Sequence, residues 1–201
     1  MLIHKIKGYS IDPISADCYE GTTCLINKFG IKDEKKLSQM ETLITTAKCQ
    51  ELEISPIVGD FGFDHYKAIH KYIFEDLYDW AGKVRTASIS KKGTVFTLPE
   101  SIEPLADRIF TGLQKNNCYI GYDNDRYIDS IVDFYCRTNM LHPFREGNGR
   151  TQRVFLTQLI RHSGHDINFS TIDTDELMIA TIQSANGIVD YLRNLFKESI
   201  S

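Results

Sequence analysis

Apolar residues recur at intervals of three and four along most of this 201-residue chain, and a single segment breaks the rhythm. Leu37, Met40, Ile44 and Ala47 share one helix face. Tyr66, Ile69, Ile73 and Leu77 share another, in a helix stopped at Ala81-Gly82. The same spacing returns at Ile102, Leu105, Ile109 and Leu113, then at Ile128, Ile131, Val132 and Tyr135. It returns once more at Val154, Phe155 and Leu159, with Gly164 beyond the end. Two shorter helices are predicted near 174–185 and 187–198. After the second helix the period changes: residues 84–90 and 94–97 are rich in β-branched side chains and flank Lys91-Lys92-Gly93, which predicts a hairpin over 84–97. Pro99 ends it. Residues 1–35 carry turn signals at Asp12-Pro13, Glu20-Gly21 and Phe29-Gly30 and are predicted to be irregular. The pattern predicts one all-α domain over 1–201, with seven helices and one hairpin.

Composition removes several function classes. Asp and Glu number 27 against 23 Lys and Arg, so the formal charge of −4 disfavours a protein built to coat nucleic acid, and no direct nucleic-acid partner is expected. No run approaches the length of about 18 apolar residues that a membrane span needs. The start, Met1-Leu2-Ile3-His4-Lys5, lacks the apolar core of a secretory signal. The five cysteines contain no C-x-x-C pair, which argues against a disulfide framework or a Cys-rich zinc site and fits a reducing cytoplasm. Walker, kinase H-R-D and H-E-x-x-H patterns are lacking as well.

The most informative stretch runs from His142 to Arg153 between two apolar-periodic helices. Pro143 disfavours α conformation at the residue before it, which places His142 where the first helix ends. Gly147 and Gly149 stand at the entrance of the second helix, where unpaired N–H groups and the positive dipole end suit an anion. Arg150 and Arg153 are three residues apart and share a face. Two guanidinium groups beside such a nest suggest a polyphosphate. Glu146 is placed to hold a divalent metal against the same phosphates, and His142 to take a proton from an incoming hydroxyl. The residues by themselves leave two readings open: a phosphate site, or an ordinary helix cap with solvated arginines. His65 with His70, and His162 with His165, lack the spacing of a metal pair; Tyr78 and Trp80 read as core.

His142 to Arg150 reads HPFREGNGR, which resembles the HPFx[D/E]GNGR signature of the Fic family (filamentation induced by cAMP), and Arg153 matches the second arginine of the extended motif. The stretch from Trp80 to Arg85 is similar to the family's segment ahead of its flap. Tyr19-Glu20-Gly21-Thr22, Leu25, Asn27-Lys28 and Gly30-Ile31 are similar to the N-terminal segment of the bacterial branch that includes toxins and secreted effector domains.

The resemblance implies a Fic-type helical fold and a protein adenylyltransferase that moves AMP from ATP to a Ser, Thr or Tyr hydroxyl of a target protein. On that basis His142 is the general base, Glu146 holds Mg²⁺, and Gly147, Asn148 and Gly149 form the anion hole. Arg150 and Arg153 take the outer phosphates. The hairpin is the flap, with Lys92, Gly93 and Thr94 near the nucleotide at its turn. The resemblance further implies a cytoplasmic toxin acting on a protein target, with type II topoisomerase ATPase subunits as one candidate. The family's inhibitory pattern [S/T]xxxE[G/N] is not matched, since Glu20-Gly21 and Glu146-Gly147 follow Ala16 and His142 at the required spacing. A separate small antitoxin in trans is therefore expected. Transfer of another nucleotide or phosphate-bearing group, and an inactive nucleotide-binding module, are the alternatives.

Overall fold

The computed structural model describes the backbone of residues 9–10 and residues 17–91 and 93–201. The seven helices are α1 (Glu34–Ile54), α2 (Phe63–Phe74), α3 (Pro99–Lys115), α4 (Asn124–Leu141), α5 (Asn148–His162), α6 (Thr174–Ala185) and α7 (Asp190–Ser199). Their starts follow local chemistry. Asp33, Asp123 and Asp173 accept first-turn N–H groups of α1, α4 and α6. Pro99 opens α3, where its missing N–H costs nothing. The helical order expected from the sequence holds throughout, except that α2 ends at Phe74 and residues 75–82 continue in turns that finish on Gly82 at φ 79°.

The strands differ more. Among the described residues of 84–97, β2 (Ser90–Lys91) and β3 (Thr94–Val95) are the strands that pair, antiparallel. A third short strand, β1 (Tyr9–Ser10), lies on the outer edge of β2 and comes from the segment predicted to be irregular. Lys92 falls outside the described residues.

The core is built around α2 and α5, which pack on each other; α1 lies across both, α3 packs on α4, and α6 and α7 pack on each other and on α4. Phe110 meets Tyr66 tilted and Phe134 and Phe155 edge-on at the centre, while Phe134 and Phe155 stack on each other at 5.7 Å, all within the geometries aromatic rings prefer. Gln152 of α5 donates to Tyr135 O and to Thr138 Oγ1 of α4, so the buried polar contact between these two helices is satisfied.

One arginine fastens the hairpin to the helical body. Arg85 is buried, and its guanidinium donates to His142 O at 2.8 Å, Ala87 O at 2.7 Å and Thr97 O at 2.5 Å. Its own N–H donates to Pro143 O at 2.9 Å, and Thr97 donates twice to Met140 O. Both arms of the hairpin root are thereby tied to the C-terminus of α4. Burial lowers the Arg85 pKa to about 10, which leaves it charged at neutral pH. Replacement by Met should orphan three carbonyls and cost roughly 2–5 kcal/mol. Urea unfolding measures that loss, and limited proteolysis should show new cleavage within 84–97; an unchanged urea midpoint would contradict the anchoring role.

Candidate active site

The site is the turn between α4 and α5. His142 caps α4 at φ 43°, ψ 59°, in the left-handed region, so the helix ends there as Pro143 led one to expect. That backbone costs about 1–2 kcal/mol for a residue with a side chain. It is held by Thr138 O accepting from the His142 N–H, by Arg85 on the His142 carbonyl, and by Phe96, whose ring stacks on the imidazole at 3.7 Å between centroids.

The tautomer follows from the hydrogen bonds. Nδ1 lies 3.1 Å from Asn139 O, so it carries the proton and donates. Nε2 is buried with no partner among the described residues, and its lone pair is left to accept a proton. Burial drives the His142 pKa down to about 3; the Asn139 carbonyl opposes this, while Lys91 and Arg85 add to it.

The turn keeps its shape through side chains that the motif does not advertise. Phe144 is fully buried and stacks on His70 at 3.7 Å. Asn148 Nδ2 donates to Phe144 O at 2.7 Å and its Oδ1 accepts from Phe144 N at 2.8 Å, so this amide is spent on the loop itself. His70 Nε2 donates to Glu146 O, while Nδ1 accepts from Gly82 N. This fixes a neutral ring whose pKa burial lowers to about 3, with the Glu146 carbonyl acting against it and Arg150 with it. Gly147 caps α5 at φ 79°, and a Cβ there would stand 2.1 Å from the Phe74 ring. Gly149, by contrast, lies inside α5 with an ordinary helical backbone. The first N–H to bond back onto the turn is that of Thr151, to Gly147 O, so the amides of 148–150 stand ahead of the helix ladder.

The two arginines have different surroundings. Arg150 donates to Glu41 Oε1 at 2.6 Å and Thr45 Oγ1 at 3.0 Å, and lies 3.4 Å from Glu146 Oε1. Burial opposes its charge, but Glu41 and Glu146 outweigh that and raise its pKa. Glu41 also accepts from Tyr78 Oη at 2.5 Å. Arg153 has no carboxylate partner among the described residues; burial foremost, and Arg150 beside it, press its pKa down. The turn therefore ends in one neutralised guanidinium and one uncompensated positive charge. Glu146 is half-buried rather than exposed, and its Oε1 accepts from Gly147 N. A single carboxylate beside a phosphate nest is the donor set that Mg²⁺ commonly uses. Among the described residues no cluster of three or more His, Cys, Asp or Glu side chains forms a metal cage.

The structure thus brings His142, Glu146, Gly147, Asn148, Gly149, Arg150 and Arg153 together at one turn. Gly93 and Thr94 stand at the tip of the hairpin, with Gly93 at φ 84°. Glu41, Thr45 and Phe96 were not singled out by the sequence, His70 was weighed there only as half of a metal pair, and Arg85 only as the end of the Trp80–Arg85 stretch; the one further signal was Glu41 and Thr45 one turn apart on a helix. Of the other described histidines, His65 is buried and bonds Ile57 O and Phe61 N, the exposed His162 lies by Phe61, and the half-buried His165 stacks on Tyr127.

A family model described as the Fic/DOC family matches residues 60–160. The chain is 36% identical over 177 residues to a probable protein adenylyltransferase, y4lH, of Sinorhizobium fredii, covering 88% of this chain and 89% of that one. It is 30% identical over 183 residues to a probable protein adenylyltransferase of Salmonella typhimurium, covering 91% and 90%. Among solved structures it is similar to the BepC protein of Bartonella tribocorum, a VirB-translocated effector with bound AMPPNP. The TM-score is 0.84 at 26% identity, covering 92% of this chain and 96% of that one. The chain belongs to the Fic/DOC family.

Two predictions follow from this geometry. His70 and His142 are neutral in the folded protein down to about pH 3, whereas in the unfolded chain an ordinary imidazole takes up a proton near pH 6.5. Below pH 6.5 the unfolded state binds more protons, so stability is complete above that pH and falls as acid is added. The slope should approach about 1.4 kcal/mol per pH unit for each ring. Denaturant titrations between pH 8 and 5 measure it, with His65, also lowered by burial, adding in the same sense, and His70→Gln should reduce the slope by one ring's share; a pH-independent stability would contradict the assignment. Gly147→Ala must force both a left-handed alanine and a displaced Phe74 ring, at a cost of several kcal/mol, roughly 2–4. A wild-type melting curve for that variant would contradict the close approach.

Proposed function

We propose that the chain is a protein adenylyltransferase, which transfers AMP from ATP to a Ser, Thr or Tyr hydroxyl of a protein and releases pyrophosphate. The observation that carries this reading is the pairing of His142 Nε2, an unpartnered acceptor, with a helix N-terminus that ends in an uncompensated Arg153. The relatives named as protein adenylyltransferases and the AMPPNP in a similar structure support it.

In this reading the polyphosphate lies on the amides of 148–150, with Arg150 and Arg153 on the outer phosphates. Most of the acceleration comes from positioning and charge neutralisation at the α-phosphorus. His142 Nε2 receives the hydroxyl proton as the new bond forms. Its neutrality is ensured by burial, and the approach of phosphate charge raises its basicity when the site fills. Glu146 would hold Mg²⁺, which would neutralise phosphate charge when bound. Phe96 and the Asn139 carbonyl keep the imidazole plane fixed. Gly93 and Thr94 of the hairpin tip would border the nucleotide together with Lys92, and the hairpin edge would hold the target in extended form.

Beyond the reaction we propose a cytoplasmic toxin held in check by a small antitoxin. Arg153, left without a carboxylate, is the group that an acidic side chain from a partner would occupy in place of the outer phosphate. Type II topoisomerase ATPase subunits are the protein target we would test first.

His142→Ala should retain nucleotide binding and lose transfer by roughly 10²–10⁴-fold. Glu146→Ala should lose the Mg²⁺-dependent rate and keep its fold. Incubation of purified variants with labelled ATP and a host extract, with and without EDTA, tests both. Transfer by His142→Ala near the wild-type rate, or full transfer in excess EDTA, would remove the corresponding role.

A further inference from the structure

Glu146 is the one carboxylate between His142 and Arg150, and an arginine stands on either side of it, at Arg145 and Arg150. Each of these guanidinium groups is engaged by a carboxylate from elsewhere in the chain. Arg150 Nη2 lies 2.6 Å from Glu41 Oε1 and 3.4 Å from Glu146 Oε1, so α1 takes the stronger contact. Arg145 occupies the position that the motif leaves open. It is only 4% exposed, and its Nε donates to Asp17 Oδ2 at 3.2 Å. Its Nη2 contacts Cys18 Sγ at 3.7 Å. Among the described residues the Glu146 carboxylate keeps the Gly147 N–H at 2.9 Å and the long Arg150 contact.

Asp17 stands on a built support, the strap formed by residues 17–31. Asp17 O accepts from Ile26 N at 2.8 Å and Cys24 O accepts from Tyr19 N at 3.0 Å, so the strap folds back on itself. The buried Asn27 amide closes its next turn, donating to Leu25 O and Ile31 O and accepting from Ile31 N. Lys28 donates from its backbone to Leu77 O and from Nζ to Glu75 O, which hangs the strap on the segment after α2. That helix also holds Phe144 and the Glu146 carbonyl, both through His70. Asp17 is thereby fixed relative to the turn it faces, although it lies outside residues 60–160 that the family model matches.

We propose that Asp17 is a positioning residue: by holding Arg145 on the strap, it keeps the Glu146 carboxylate open for a divalent cation bound with a polyphosphate. This rests on the nucleotide reading of the site given above. A guanidinium this deeply buried needs a counter-charge, because an unpaired ion out of water is strongly unfavourable. Without the Asp17 carboxylate, the carboxylate that the turn itself offers Arg145 is that of the next residue, Glu146. A charge-assisted Arg145–Glu146 contact would compete with the metal for the same oxygens. Glu41 plays the matching part for Arg150. Two carboxylates distant in sequence, 128 residues for Asp17 and 109 for Glu41, thus leave the local one to the metal.

The test is calorimetric titration of the full chain with a non-hydrolysable ATP analogue, once in excess Mg²⁺ and once in EDTA. The ratio of the two dissociation constants is the gain that the metal provides. Asp17→Asn should lose about tenfold of that gain, the usual effect of removing a group that supports a metal ligand, with the affinity in EDTA little changed. Asp17→Glu should keep most of the gain. Arg145→Met removes the competing cation, so the gain should survive in that variant and return when it is combined with Asp17→Asn. A wild-type gain in Asp17→Asn would overturn the inference. So would a double variant as weak as Asp17→Asn, which would make the strap a brace and nothing more, and so would a wild-type chain whose affinity ignores Mg²⁺. Each of these leaves the transferase reading to stand on labelling of extract proteins with ATP. No analogue binding in either buffer, together with no label on any extract protein, sinks both.

Discussion

The turn between α4 and α5 depends on the burial of Phe144. Its ring lies between Tyr66 and His70 of α2, fully removed from water. Everything polar in the site is then arranged around that plug. Asn148 closes the backbone on both sides of Phe144, His70 holds the next carbonyl but one, and Gly147 turns the chain against the Phe74 ring with no room for a side chain. Apolar packing on α2 thus sets the direction in which the first amides of α5 point. A core helix, rather than the loop itself, is the scaffold of the site.

Electrostatics divides the labour of the two arginines. Arg150 is satisfied by Glu41 and Thr45 of α1, with Tyr78 completing the carboxylate. This pairing locks the guanidinium and ties α1 to α5. Among the described residues Arg153 has no such partner, and its charge is available to an anion. A site in which both were neutralised would bind polyphosphate weakly; one in which neither was would carry two adjacent unpaired charges in a partly dry groove. Burial acts on the histidines in the opposite sense, keeping His70 as a neutral donor and His142 as a neutral acceptor.

Much of this was legible in the sequence, and the reasons are local. Seven helices showed because each exposes one polar face and buries one apolar face, as Tyr66, Ile69 and Ile73 illustrate. The residues from His142 to Arg153 were found together because the motif is contiguous. The roles of Glu41, His70 and Arg85 at this turn were not, because each reaches it from far along the chain, 57 residues away for Arg85 and 76 for His70. The assignment of Asn148 and Gly149 also changed in detail: the Asn148 amide closes the loop, and Gly149 is a helical residue. β1 escaped notice because two residues without alternation carry no strand signal; only the waiting edge of β2 gives them a partner.

The central claim is that this turn receives a nucleoside triphosphate with its reacting phosphorus facing His142 Nε2. A crystal structure of the chain with a non-hydrolysable ATP analogue and Mg²⁺ tests it most directly. The account predicts phosphate oxygens on the amides of 148–150, the outer phosphate on Arg153, and His142 Nε2 facing the α-phosphorus. A nucleotide bound elsewhere, or one that leaves Arg153 without an anion, would contradict it.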